Sequence, residues 1–223
     1  MRHTRILTIL LSAATMMTLA SCGGEAKLEK AYISFVTTGD DAAVFEKVYD
    51  GKAAEFDLKG VKTNSDGQLS ITWYAFETVE EKEVEKKLDA APVNVGKYQI
   101  VVSTPKTSKF EERTVKHDYE ITKAEMPESW LIKGADFPTV IHYTESGSGS
   151  RIQRKTIATE VQTVKANITI KKSADAAALV LDTDYKVNVS VTSATEASVQ
   201  IQLVTEANYS GYTLKVTAEK QAA

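Results

Sequence analysis

Apolar and polar residues alternate strictly in many short segments of this 223-residue chain, and this period of two limits what the chain can fold into. In one segment Tyr98, Ile100 and Val102 fall on the same side, and polar residues alternate with the first two. Similar alternation occurs in residues 71–75, 115–121, 168–170, 185–191, 199–203 and 212–218. Such alternation predicts strands that bury one face and expose the other, as in antiparallel sheets. We therefore predict an all-β fold.

The charged segment "ETVEEKEVEKKL", residues 77–88, is the main exception to this pattern. Its Glu and Lys residues lie three or four apart, as on an exposed helix. However, Val79, Glu83 and Lys86 do not form the apolar stripe that a packed helix needs. We predict a solvated pair of strands or an edge connection here, because charged residues at a sheet edge discourage unwanted pairing.

The chain also contains two copies of one arrangement, spaced by about 95 residues, which is the size of a single sandwich domain. Residues 94–125 and 195–220 both contain an alternating strand, a short turn with an aromatic residue, and a final alternating strand. We predict two tandem immunoglobulin-like antiparallel β-sandwich domains, residues 31–124 and residues 125–223.

The N-terminus has the form of a secretory signal peptide, with a basic head in residues 1–5 and an apolar run in residues 6–20. This run is shorter than the roughly 20 residues that a membrane-spanning helix needs. The sequence Leu-Ala-Ser-Cys, residues 19–22, follows it and resembles the lipobox of bacterial lipoproteins. The resemblance implies a signal peptide of residues 1–21, a lipid on Cys22, and a flexible tether over residues 22–30. An ordinary secreted protein with an incidental cysteine is the alternative.

The lipobox also implies a location in the cell envelope, with the membrane as a partner through the lipid anchor. The residue after Cys22 is Gly23 and not Asp. In this respect the sequence resembles lipoproteins that are passed to the outer membrane of a Gram-negative bacterium. Loss of Arg2 and Arg5 with the signal peptide lowers the formal net charge from −3 to −5. Because no Lys/Arg block is present, we expect neither nucleic acid nor anionic lipid as a general partner of the whole chain. Cys22 is the only cysteine, so an internal disulfide is impossible.

Four motifs of the first domain resemble the MBG or YDG type of bacterial immunoglobulin-like repeat. They are "KVYDGK" (47–52), "ITWY" (71–74), "APVNVGKYQIVV" (91–102) and "YEITKAE" (119–125), and they occur in the order that this family has. The second domain lacks the Tyr-Asp-Gly motif. The resemblance implies a surface or periplasmic module that contacts glycan or protein.

One motif of the first domain matches a tyrosine corner, in which a tyrosine hydroxyl bonds to backbone a few residues upstream. The motif is Asn94-x-Gly96-x-Tyr98, where Gly96 permits a tight backbone. Ile100 stands where antibody domains have a cysteine, and Trp73 is the expected core tryptophan. We expect Trp73, Tyr98 and Ile100 to meet in one core.

The sequence shows no spacing that is typical of a metal, cofactor or catalytic site, so we predict no enzyme activity and no cofactor besides the covalent lipid on Cys22. Trp130 and Tyr143 are the candidates for stacking on sugar rings, although Trp130 also fits an interdomain contact. The predicted function is a non-catalytic binding, adhesion or spacer module for glycan or protein. The alternative is a structural subunit of a surface assembly such as a fimbria.

Overall fold

The computed structural model describes residues 27–222. These residues form fourteen β-strands, one α-helix and three short 3-10 helices, Leu58–Gly60, Glu128–Trp130 and Gly149–Arg151. The N-terminal half contains β1 (Ile33–Phe35), β2 (Glu46–Val48), β3 (Val61–Thr63), β4 (Ser70–Val79), β5 (Lys82–Lys87), β6 (Gly96–Thr104) and β7 (Arg113–Thr122). The C-terminal half contains β8 (Leu131–Lys133), β9 (Val140–Ser146), β10 (Gln153–Thr156), α1 (Ala158–Ala166), β11 (Ile168–Ile170), β12 (Tyr185–Val191), β13 (Glu196–Leu203) and β14 (Gly211–Lys220). The predicted all-β class is confirmed, with one short helix added.

Two sheets of the N-terminal half share one core. The larger sheet has the order β2-β7-β6-β4-β5, and its neighbours are antiparallel except β2 and β7, which are parallel. The smaller sheet pairs β1 with β3. Their alternate side chains meet in a cluster formed by Ile33, Ala54, Trp73, Ile100, Val102, Tyr119 and Ile121. The alternation in the sequence therefore selects the residues that the two sheets bury against each other.

Two sheets of the C-terminal half share a second core. The larger sheet has the order β10-β9-β14-β13-β12, in which β9 and β14 are parallel and the other neighbours are antiparallel. The smaller sheet pairs β8 with β11. Ile168 and Ile170 of β11 belong to the same buried cluster as Val187 and Val199 of the larger sheet. The hydroxyl of Tyr185 donates to the Ile168 carbonyl oxygen at 2.9 Å, which links the two sheets inside this core.

The two halves, which we call the first and second units, have the same basic topology. In each unit the second strand runs parallel to the last strand, and the last strand is hairpin-paired with the strand before it. In each unit the first strand forms a small separate sheet with a later strand. The units differ in their insertions, because the first adds edge strand β5 and the second adds β10 and α1.

The charged segment 77–88 forms a strand pair, which is one of the two arrangements that the sequence leaves open. Strands β4 and β5 are antiparallel partners, and every residue of β5 is exposed. Glu80 and Glu81 form the turn with φ values of +48° and +65°. Tight two-residue hairpin turns use such positive φ values to match the twist of the flanking strands. The charged side chains of β5 lie on the open edge of the sheet, where they oppose pairing with another strand.

Helix α1 is not anticipated by the sequence analysis, which predicts strands alone. The segment "ATEVQTVKA" buries only Val164, and it contains two valines and two threonines, which favour strands over helices. Its first turn is held by Glu160, whose carboxylate accepts the backbone N–H of His142 at 2.5 Å and lies 2.6 Å from the His142 ring Nδ1. This tertiary contact, rather than helix propensity, fixes the helix against β9.

The predicted tether of residues 22–30 is too long at its C-terminal end. Glu29 donates its N–H to the Lys109 carbonyl oxygen at 2.7 Å and accepts the N–H of Glu111 at 2.9 Å. Residue 29 is therefore part of the folded unit, because both of its backbone groups are paired with a turn of that unit. Cys22 and the predicted signal peptide lie outside the described residues. Within residues 27–222, no helix has the length and apolar character that crossing a bilayer requires.

Candidate functional site

The core of the first unit brings together the residues that the sequence analysis groups there. Trp73 of β4 is paired with Ile100 of β6 and is 8% exposed, while Ile100 is completely buried. The Trp73 ring meets Tyr119 edge to face, with 4.9 Å between ring centroids. Tyr98 packs against the same cluster from its margin. Aromatic and aliphatic contacts thus fill the core of the first unit.

Tyr98 makes the backbone contact of a tyrosine corner. Its hydroxyl donates to the Asn94 carbonyl oxygen at 2.8 Å, four residues upstream, and burial raises the pKa of the phenol. Gly96 leaves space for the side chain of Tyr98. Its φ is not positive, but an added Cβ would lie 3.2 Å from the Tyr98 hydroxyl and 3.3 Å from the ring. Glycine at 96 therefore makes room for the returning tyrosine ring.

The "KVYDGK" motif folds into a loop held by one lysine. Lys47 Nζ donates to Asp50 Oδ1 at 2.7 Å and to the carbonyl oxygen of Lys52 at 3.2 Å. The Asp50 carboxylate also accepts the Lys52 N–H, and Gly51 supplies a φ of +76° between them. The hydrogen bond from Lys47, followed by that from Lys52, lowers the pKa of Asp50 below its ordinary value. These side chains serve the loop's structure, which presents Tyr49 at the end of the unit.

Tyr49 lies at the joint between the two units, where three aromatic rings meet. We define the joint as residues 94–95, 49 and 123–124 of the first unit together with residues 130 and 206–210 of the second. Tyr209 meets Tyr49 edge to face at 5.4 Å and Trp130 at 4.7 Å between centroids. Trp130 also packs against the core of the second unit. The geometry thus places Trp130 beside the joint, which is the interdomain role that the sequence analysis keeps open for it.

Asn208 is the polar centre of the joint and was missed by the sequence analysis. Its Oδ1 accepts the N–H of Val95 at 3.0 Å, and its Nδ2 donates to Asn94 Oδ1 at 3.2 Å. Its backbone carbonyl accepts the N–H of Ala124 at 3.1 Å. A turn of the second unit therefore binds both the linker and a loop of the first unit. The position of Asn208, just before the aromatic residue of the repeated turn, was the available signal.

Tyr143 does not form the sugar-stacking surface that the sequence analysis suggests for it. The residue is 2% exposed, and its hydroxyl donates to the Ala194 carbonyl oxygen at 3.1 Å. The reason is its strand: β9 lies between β10 and β14, so alternate residues of β9 point into the core. Tyr143 is a core residue and contributes no binding surface.

The outer face of the larger sheet in the first unit carries a shallow cavity of about 380 Å³. Phe76 lines it, together with Lys97, Asp118 and Glu120. Phe45, Tyr98 and Tyr119 line it as well, and aromatic residues beside a few polar groups are a common composition for ligand-binding sites. An ion pair on the same sheet links Lys116 of β7 to Glu85 of β5, with 2.5 Å between Nζ and Oε2.

The described residues 27–222 contain no group of three or more His, Cys, Asp and Glu side chains placed to hold a metal ion. No protein-family model matches the chain, and no curated protein matches it significantly. The candidate site is therefore defined by geometry alone: a joint that fixes two units end to end, and an open cavity on the first unit.

Proposed function

We propose that this chain is a lipid-anchored envelope lipoprotein that acts as a non-catalytic spacer and binding module. It would consist of two tandem immunoglobulin-like β-sandwiches, attached through a lipid on Cys22 to the outer membrane of a Gram-negative bacterium. The lipobox at residues 19–22 supports the anchor. Two or three acyl chains on one residue would hold it stably, since a single chain binds only marginally.

The topology of both units supports the immunoglobulin-like assignment. Each unit places its second strand parallel to its last strand and packs a large sheet against a small one. The tyrosine corner at Tyr98 and the core tryptophan Trp73 are further features of such sandwiches. The motifs that resemble MBG or YDG repeats fall on these same elements of the first unit.

The joint is the observation on which the spacer function rests. A flexible linker would leave the two units free to turn, whereas here Asn208 binds Asn94 and Val95 and Tyr209 contacts Tyr49. β7 ends at the joint and β14 begins there, so the two ten-residue strands follow one another. At about 3.3 Å per residue, each contributes about 33 Å of length. An extended, fixed body of this kind suits a module that holds a binding surface away from a membrane.

The cavity beside Phe76 is the surface that we assign to the glycan or envelope protein. A pyranose ring would stack on the phenyl ring, and the carboxylates of Asp118 and Glu120 would accept hydrogen bonds from its hydroxyl groups. A Phe76→Ala variant should lose binding on a carbohydrate array, and a Phe137→Ala variant is the matched control because Phe137 packs on the second core. Equal binding by both variants would reject this surface.

The anchor is tested by mass spectrometry and fractionation of the full-length chain. We expect a mature N-terminus at Cys22 that carries acyl chains, and release of the Cys22→Ser variant from the membrane fraction. An unmodified terminus would overturn the proposal.

Rigidity is tested on the full-length chain in detergent with two spin labels. Because the proposed lipid occupies Cys22, cysteines introduced at Ser108 and Ala194 would be the only free thiols. A single narrow distance distribution between them is expected, and the double variant Asn208→Ala, Tyr209→Ala should broaden it. A broad distribution in the parent chain would contradict the spacer function.

A further inference from the structure

The two units contact the chain upstream of them through equivalent turns. In the second unit, Ala124 donates one hydrogen bond to the turn 208–210 and accepts another from it, at 3.1 and 2.9 Å. In the first unit, Glu29 does the same with the turn 109–111, at 2.7 and 2.9 Å. Both contacts are parallel bridges to the aromatic residue of the turn. Since Ala124 is where the second unit joins its support, Glu29 marks the corresponding point of the first unit.

Three segments meet at this end of the first unit, and we call them the basal end: residues 27–30, 62–67 and 105–113. Asn64 Nδ2 donates to the Lys30 carbonyl oxygen at 3.3 Å, and the hydroxyls of Ser65 and Thr104 lie 3.0 Å apart. The turn around Lys109 completes the end through its bonds to Glu29. The basal end is therefore a built surface at the extremity opposite the joint.

Charge is distributed unevenly between the basal end and the rest of the chain. The basal end has six basic and four acidic residues, a net charge of +2: Lys27, Lys30, Lys62, Lys106, Lys109 and Arg113 against Glu29, Asp66, Glu111 and Glu112. The other described residues have 19 basic and 25 acidic residues, a net charge of −6. Among residues 27–222, none of the basal side chains forms an ion pair. An anionic surface would therefore attract the basal end and repel the rest of the described residues.

The second unit shows how the turn chemistry differs where the partner is protein. There, position 208 is an asparagine whose amide binds the loop of the first unit. The equivalent position in the first unit is Lys109, an exposed cation that cannot accept a hydrogen bond. The basal turn is thus suited to anionic oxygen atoms instead of a backbone N–H.

We propose that the basal end rests on the phosphate-bearing headgroups of the bilayer that holds the anchor, with the second unit directed away from it. This inference rests on the proposed lipid anchor. Glu29 lies seven residues after Cys22, and this length of chain can span at most about 25 Å, which keeps the basal end near the headgroups. The basic side chains are attracted to an anionic surface within about a Debye length, and the acidic remainder is repelled from it. The charge distribution thus holds the extended body upright.

The test uses the full-length lipidated chain in vesicles of phosphatidylglycerol and phosphatidylcholine that contain a headgroup quencher. A fluorophore is placed on Ser108→Cys at the basal end or on Ala194→Cys in the distal turn between β12 and β13. We expect quenching at residue 108 and none at residue 194. The double variant Lys106→Glu, Lys109→Glu, or high salt, should abolish the difference between the probes, whereas Lys186→Glu on the exposed face of β12 should preserve it.

The outcomes separate this inference from the proposed anchor. Equal quenching of both probes would mean that the body lies flat, and no quenching of either would mean that the basal end is held away; both results overturn the inference while the protein still sediments with vesicles. An unchanged pattern in the double variant, or in vesicles of phosphatidylcholine alone, would reject the headgroup contact. Failure to sediment would overturn the anchor itself, and the orientation with it.

Discussion

Replacing Asn208 with alanine should open the joint while leaving both cores intact. The variant loses the Val95 N–H to Oδ1 bond of 3.0 Å and the exposed bond of 3.2 Å to Asn94. A protein hydrogen bond contributes about 0.5–1.5 kcal/mol, so the partly buried bond and the exposed one together contribute about 1.5 kcal/mol. Joint opening should therefore become about tenfold more favourable, because each 1.4 kcal/mol is a factor of ten. The backbone bond from Ala124 remains, which limits the loss to the side chain.

Hydrogen exchange of the Val95 amide measures this effect directly, because that N–H donates across the joint. We expect its protection to fall about tenfold in Asn208→Ala, since local opening governs exchange at such a position. Asn208→Asp should retain most of the protection, because its carboxylate still accepts the Val95 N–H. Asn188→Ala, on the exposed face of β12, should change nothing. Unchanged protection in Asn208→Ala, or an equal loss in Asn188→Ala, would refute the reasoning.

Three further predictions concern the first unit. Tyr98→Phe removes the bond to the Asn94 carbonyl and should lower the free energy of unfolding by about 1 kcal/mol in urea denaturation; no change would argue against the tyrosine corner. Gly96→Ala should lower the free energy of unfolding by about 1–2 kcal/mol in the same assay, because the added Cβ crowds the Tyr98 ring. The loss should be much smaller in a Tyr98→Ala background. An equal loss in that background would mean that the backbone, and not the ring, requires glycine. Asp50→Asn should remove a stabilisation that is present above the ordinary pKa of 3.8 and lost as the pH falls through the lowered folded pKa. Unfolding curves measured across acidic pH check this, and an identical acid dependence in both proteins would exclude the contribution of the Lys47 contact.

The alternation of apolar and polar residues predicts most of the strands, because a strand with one buried face has an apolar residue at every second position. Residues 185–191 and 212–218, for example, alternate in the sequence, and β12 and β14 contain them. Helix α1 has no comparable apolar pattern, since it buries only Val164. Its position depends on the contact between Glu160 and His142 of β9. A contact between residues 18 apart in sequence cannot be deduced from the nine residues of the helix itself.

The candidate site was less predictable than the fold, because it depends on which strands are neighbours. Tyr143 is near loops in sequence, yet it shares the buried face of β9 with Ile141, so its ring points into the core. Asn208 has an ordinary polar turn sequence, and its importance comes from a loop 113 residues away. Trp130 was open to both a surface and a joint role, and only its contact with Tyr209 distinguishes them.

The same geometry bears on the alternative of a polymerising fimbrial subunit. Subunits that assemble by strand addition leave one strand position of their sheet open for a partner. In both units of this chain the position beside the last hairpin strand is filled by the chain's own β2 or β9. A filament could also form if the turn 109–111 of the first unit bound another copy of the chain, as the turn 208–210 binds Ala124. This is blocked, because Glu29 of the same chain already pairs with the turn 109–111. At one edge of the larger sheet in the first unit, β5 carries lysines and glutamates that oppose pairing. These three features favour a chain that acts as a single anchored body over one that grows into a filament.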